Sequence, residues 1–187
     1  MFEDESGFSL VSPLKRTWAP CGQTPVVRTH ITHHQRVNAL GALLVTPGGR
    51  RLRLLSRLRR QTINGQVIRA FLVRLLRTVA GPIVLVWDNH PIHTRRLVKD
   101  FIASHPRLHV FALPSYAPEL NPVEGLWTQA KDATASGAPR HIQALHRKVY
   151  TVLQHLANSQ RRLRACFQIA KLPWLPDDRR HSLLMGQ

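Results

Sequence analysis

Cysteine is nearly absent from the 187 residues: Cys21 and Cys166 stand far apart, and neither has a CxxC partner. That argues against a disulfide framework and a structural zinc site, and it fits a reducing cytoplasm. Long hydrophobic runs are missing too. The longest, Ile83–Trp87, has five residues, whereas a membrane-spanning helix needs roughly 20. The start Met1-Phe2-Glu3-Asp4-Glu5 is acidic and matches neither a secretory signal nor a transit peptide. No internal repeat and no low-complexity segment is present. Acid is scarce too, with 10 Asp and Glu against 27 Lys and Arg, a formal charge of +17.

What is present suffices for one core. The apolar content of 43% is ordinary for a globular domain. A charge of +17 on such a chain points to a polyanionic partner, most simply nucleic acid. The densest basic stretch holds Arg50, Arg51, Arg53, Arg57, Arg59 and Arg60. It reads either as a solvated strand and turn or as a phosphate-contacting edge. The second reading is favoured because no acid is interspersed.

The pattern of elements predicts a layered fold. Phe8–Val11 and Val26–Ile31 read as short strands, with acidic residues from Glu3 to Glu5 starting the first one. Val37–Val45 is a longer apolar run closed by Pro47-Gly48-Gly49, with Arg50–Leu55 as the return strand. The period then changes. Val67, Ile68, Phe71, Leu72, Leu75, Leu76 and Val79 mark one face of a helix, with Asn64 as its cap and Gly81-Pro82 as its stop. Ile83–Trp87 follows as a strand buried on both faces. A helix is expected from about His93 to Ser104, a buried strand at Leu108–Leu113, and a loop at Pro114–Leu120. Asn121 and Pro122 open a third helix. After a Ser136–Pro139 break come an amphipathic helix through Leu156, a basic helix to about Ala170 and a frayed tail. The order is an antiparallel β meander followed by alternating α/β, an α/β fold with a mixed sheet and helices on both faces.

With so few acids, their positions carry information. Asp88 ends a buried strand, where open α/β sheets place ligand-binding residues; it also fits an Asx-turn. Glu124 stands three residues after Asn121, the capping-box position. Asp4 faces opposite to Glu3 and Glu5, because side chains alternate across a strand. Three separated carboxylates are what a two-metal phosphodiester site needs, although spacing alone does not bring them together. His90 and His93 lack the third histidine or cysteine that a zinc site requires, and His30, His33 and His34 read as solvated or phosphate-facing.

Three blocks carry a resemblance. Val86-Trp87-Asp88-Asn89-His90-Pro91-Ile92-His93 resembles the second-aspartate motif of the mariner-like DDE transposases, in their bacterial insertion-sequence branch (insertion sequence family 630). Leu113-Pro114-Ser115-Tyr116-Ala117-Pro118-Glu119-Leu120-Asn121-Pro122-Val123-Glu124-Gly125-Leu126-Trp127 resembles the stretch carrying the third acid. Phe2–Phe8, with Arg16–Pro20 and Gly22–Val26 after it, is similar to the first-aspartate block. The resemblance covers roughly residues 2 to 135 and implies an RNase H-like fold. It makes Asp4, Asp88 and Glu124 the catalytic and metal-binding carboxylates, with 35 residues between the last two, and reassigns Glu124 from cap to ligand. It implies two Mg²⁺ ions, with Mn²⁺ as a substitute. Asn89, His93 and Lys131 become DNA-positioning groups or supports of the ligands, and Trp127 reads chiefly as core packing.

The implied activity is cleavage and strand transfer of an insertion sequence, with joining at TA. Two alternatives stay open: an inactive remnant that binds DNA non-specifically, and another RNase H-like nuclease. The implied partner is double-stranded DNA, both transposon ends and target, bound by a homodimer, with no membrane association and a bacterial, nucleoid-associated location. Residues 1–135 read as the catalytic core and 136–187 as a C-terminal helical extension of the same domain. Only three residues precede Asp4, where members of the family carry a helix-turn-helix region. The expectation is therefore the catalytic half alone, which leaves room for a separately encoded N-terminal DNA-binding half.

Overall fold

The switch of hydrophobic period near residue 64 divides a meander from a helical half in the computed structural model, which describes residues 1–11, 18–23, 35–135, 139–170 and 172. The expected strand Val26–Ile31, the His30, His33 and His34 group, most of the break before Pro139 and the tail beyond Leu172 lie outside the described residues. Strand β1 (Phe2–Ser9) runs antiparallel to β2 (Arg36–Val45), which runs antiparallel to β3 (Leu52–Arg59). Strands β4 (Ile83–Trp87) and β5 (Leu108–Ala112) lie parallel to β1, giving the order β3-β2-β1-β4-β5.

Helices cover both faces, as an RNase H-like mixed sheet requires. On one side, α1 (Gly65–Thr78) and α2 (Arg96–Ala103) bring Ile68, Phe71, Leu75, Val98 and Phe101 against Leu40, Ala42 and Leu85. On the other, α3 (Pro122–Thr134), α4 (Ile142–Ala157) and α5 (Gln160–Ile169) bring Trp127, Leu153 and Phe167 against Phe2, Val37 and Leu43. Gly125 lets α3 approach α5 closely, since a Cβ there would sit 3.1 Å from the Cys166 Cα. Among the described residues, no helix is long and apolar enough to cross a membrane.

Local grammar placed several elements well. Asn64 caps α1 by accepting from the Val67 N–H, and β4 spans the residues expected. Five boundaries or exposures differ. The first strand starts at the acidic residues as expected but ends at Ser9 rather than Val11; those acids have weak strand preference, and pairing with β2 imposes the conformation. Strand β3 continues past Leu55 to Arg59, because β2 pairs with it along its full length. Helix α2 starts at Arg96 rather than His93, since the Asp88 carboxylate accepts from the His90 N–H and turns the chain first. Strand β4 is not buried on both faces: Val84 is 52% exposed, and β1 pairs with β4 only at Val86. Strand β5 is an edge, with Phe111 57% exposed, rather than a buried strand.

Candidate active site

Register brings the first two carboxylates together. Phe2 on β1 pairs with Val86 on the parallel strand β4. Two residues further along each chain segment stand Asp4, on β1, and Asp88, just past the end of β4; neighbouring strands lie about 4.8 Å apart. Asn121 supplies the third. Its side-chain N–H donates to the Glu3 carbonyl at 3.1 Å, and its Oδ1 accepts from the Val123 N–H at 3.1 Å. The same residue therefore caps α3 and ties that helix to β1 beside Asp4. The capping box is not made, because the Asn121 backbone N–H donates to the Pro118 carbonyl. Glu124 stays exposed, one helical turn on.

Asp4, Asp88 and Glu124 line one cavity of about 380 Å³, with Asn89, His90 and the loop from Leu113 to Pro118 as its other walls. Asp4 is 8% exposed, and its Oδ2 accepts from the Trp127 indole N–H at 3.0 Å. Burial, and then the nearby Glu124 carboxylate, push Asp4 up to about 7, against the Trp127 and backbone hydrogen bonds. Asp88 is pulled the other way: the His93 contact and the His90 N–H hold it below the ordinary carboxylate range, despite partial burial.

The remaining predicted residues divide. Asn89 lines the cavity and donates to the Leu113 carbonyl at 2.8 Å, which fixes the loop after β5. His93 stands behind Asp88, with Nε2 3.2 Å from Oδ1, and its buried ring stacks on Trp87. Lys131 is exposed two turns beyond Glu124 and outside the cavity. The arginine run is not one patch. Through β2, Arg57 and Arg59 align with Glu5 and Gly7, with Arg60 next in the chain, at the active-site end of the sheet. Arg53, with Arg50 and Arg51 before it, lies towards the opposite end.

Sequence reasoning missed three contributors. Trp127 is core packing as expected, but it also holds Asp4. Gly41 pairs with Asp4 across the sheet, and a Cβ there would lie 2.7 Å from the Trp127 ring. Tyr116 lies on the cavity rim, fully exposed, with a left-handed φ of 59° that is costly for a residue with a side chain. Only the i, i+3 spacing of Glu124 and Trp127 signalled any of these.

Residues 1–146 match the sequence model of a family described as DDE superfamily endonuclease. No curated protein matches the chain. Its structure is similar to the Mos1 mariner paired end complex with Mn, at 17% identity and a TM-score of 0.65, over 91% of this chain and 53% of that one. It is also similar to a pre-cleavage Mos1 transpososome, at 15% identity and a TM-score of 0.60, over 91% and 55%. The catalytic domain of Mos1 mariner transposase aligns at 15% identity and a TM-score of 0.54, over 91% and 82%. The likeness is one of fold, and the chain spans about half the length of the chains in the two complexes.

Proposed function

The chain belongs to the DDE superfamily endonuclease family, and from that membership we propose that it is the catalytic domain of a transposase acting on an insertion sequence. The reading is supported above all by one observation: Asp4, Asp88 and Glu124, far apart in sequence, line a single cavity. Their all-oxygen donor set suits hard divalent cations. Burial first, and then repulsion from Glu124, lifts Asp4, and such ions would relieve the repulsion. Mos1 structures are described with Mg and with Mn; for this chain, Mg²⁺ held by the three carboxylates is our proposal. Cations bound there supply activation of the attacking oxygen and stabilisation of the leaving one.

The chain's own groups then have distinct tasks. Trp127 fixes Asp4, the His90 N–H and His93 fix Asp88, and Asn121 sets the start of the helix that carries Glu124. Asn89 shapes the loop over the cavity. Arg57, Arg59, Arg60 and Lys131 are the basic groups placed to hold phosphates near it, while Arg50, Arg51 and Arg53 extend the basic surface away from it. The substrate is double-stranded DNA, cut at a transposon end, with the freed 3′-hydroxyl joined to target DNA at TA. We assign residues 1–135 to the catalytic core and 136–187 to its helical extension, and expect a homodimer on paired ends. A bacterial element completes the reading.

A nicking assay tests it, using end-sequence DNA, Mg²⁺ and the chain joined to its end-recognition region. The expected products are nicked ends and strand-transfer joints. Equal cleavage by Asp88→Asn overturns the assignment. Cleavage without joints would instead mark another nuclease of this fold.

A further inference from the structure

The face of β1 opposite Asp4 carries a second constellation. Strand alternation puts Glu3 and Glu5 on that face, and His93 reaches them from the turn after β4. Glu3 is 1% exposed and His93 4%. Neither Glu3 carboxylate oxygen, nor Glu5 Oε1, nor His93 Nδ1 has a hydrogen-bond partner, and His93 Nε2 faces Asp88 Oδ1 at 3.2 Å. Among the described residues, His93 alone pairs with the two glutamates. A buried carboxylate is paired, hydrogen-bonded, bound to metal or protonated, and a lone imidazole does not pair both glutamates.

The distances have a form. His93 Nε2 lies 3.6 Å from Glu5 Oε1 and 3.8 Å from Glu3 Oε2, longer than ordinary hydrogen bonds. Two donors each about 2.1 Å from a shared ion stand roughly 3.0 to 3.5 Å apart, which the two His93 distances approach. Ligand atoms from all three residues lie within 4.8 Å of one another. The Trp87 ring, stacked on His93 at 4.1 Å and 21°, fixes the imidazole plane. Partly exposed Glu5 and Asp88 leave an edge open for entry.

We propose that Glu3, Glu5 and His93 form a binding site for one transition-metal dication of the Zn²⁺ or Mn²⁺ class, adjacent to the carboxylate cavity and distinct from it. Two carboxylates and a neutral imidazole cancel a charge of two. The nitrogen donor selects against Mg²⁺, which prefers oxygen ligands. Asp88 Oδ1, 3.2 Å from the same His93 nitrogen, stands where a fourth donor would. An ion here would lock the His93 ring and take over the Nε2 contact that otherwise faces Asp88. Asp4 and Glu124 take no part in the site; Asp88 alone borders both it and the cavity.

The test separates the two. The chain is loaded with Zn²⁺ or Mn²⁺, dialysed against excess Mg²⁺, and assayed for bound metal by elemental mass spectrometry. One retained equivalent is expected in the unaltered chain and in the Asp4→Asn, Glu124→Gln double variant. Retention should weaken about tenfold or more in Glu5→Gln and in His93→Gln, each checked for folding by circular dichroism. An anomalous scattering peak between Glu3, Glu5 and His93 would localise the ion, and a Zn²⁺-dependent rise in Tm, absent from a folded Glu5→Gln, would serve if His93→Gln misfolds. No retained ion, retention unaffected by folded Glu5→Gln, or a peak between Asp4 and Glu124 instead would overturn the proposal.

Discussion

Trp127 joins the core to the chemistry in one side chain. Its ring fills space beside Gly41, and its N–H reaches Asp4. Trp127→Phe keeps most of the ring and removes the donor. A hydrogen bond to a charged group contributes about 1.5 to 3 kcal/mol, so Mg²⁺-dependent cleavage at limiting Mg²⁺ should fall about tenfold or more while the fold persists. Gly41→Ala should cost about 1 to 3 kcal/mol in urea unfolding through overpacking against that ring. The raised carboxyls fix a pH trend for the metal-free chain. Asp4 sits near 7 and Glu5 near 8, so the folded state retains protons that the unfolded state has released. Their contribution to stability is therefore full below about pH 4 and declines as pH rises to about 8. Urea midpoints across that window should fall; a rise contradicts the assignment. At this scale, the motifs marked Asp88 and Glu124. The indole bond to Asp4 was not legible, because its direction depends on how α3 seats on the sheet.

Elements whose signals are local were the readable ones. Helix α1 carries its cap, its apolar stripe and its stop within its own residues. Strand β1 does not: its acids argue against a strand, and only pairing with β2 and β4 overrides them. Strand β5 looked buried because its apolar run cannot show that no neighbour lies beyond it. Helix α3 depends on Asn121, which works at both ends of its amide. Asn121→Ala should lose the cap, worth about 0.5 to 2 kcal/mol, and also leave the buried Glu3 carbonyl without its donor. Asn121→Asp restores the cap acceptor alone. If the tie to β1 positions Glu124, Asn121→Asp should recover Tm more fully than cleavage; equal recovery of both would assign Asn121 a capping role only.

For the whole molecule, the proposed function assigns affinity to the basic charge and chemistry to the few acids. The excess of +17 predicts DNA binding that weakens steeply with salt. Replacing Arg57, Arg59 and Arg60 together with Gln should shallow the slope of log K against log salt by up to about 3; an unchanged slope would remove that end of β3 from the interface. The layered α/β architecture was legible because the hydrophobic period changes once and the strand-end acids have fixed places in such sheets. The convergence of Asp4 with Asp88 was not, since it follows from strand register, which no local pattern records. The most direct measurement compares the unaltered chain with Asp4→Asn, Asp88→Asn and Glu124→Gln, recording DNA affinity and Mg²⁺-dependent cleavage on the same samples. The account predicts retained affinity in all three variants with cleavage reduced at least about a thousandfold, the scale at which losing an essential charge-stabilising group is felt. Cleavage at the unaltered rate by any one of them would contradict it.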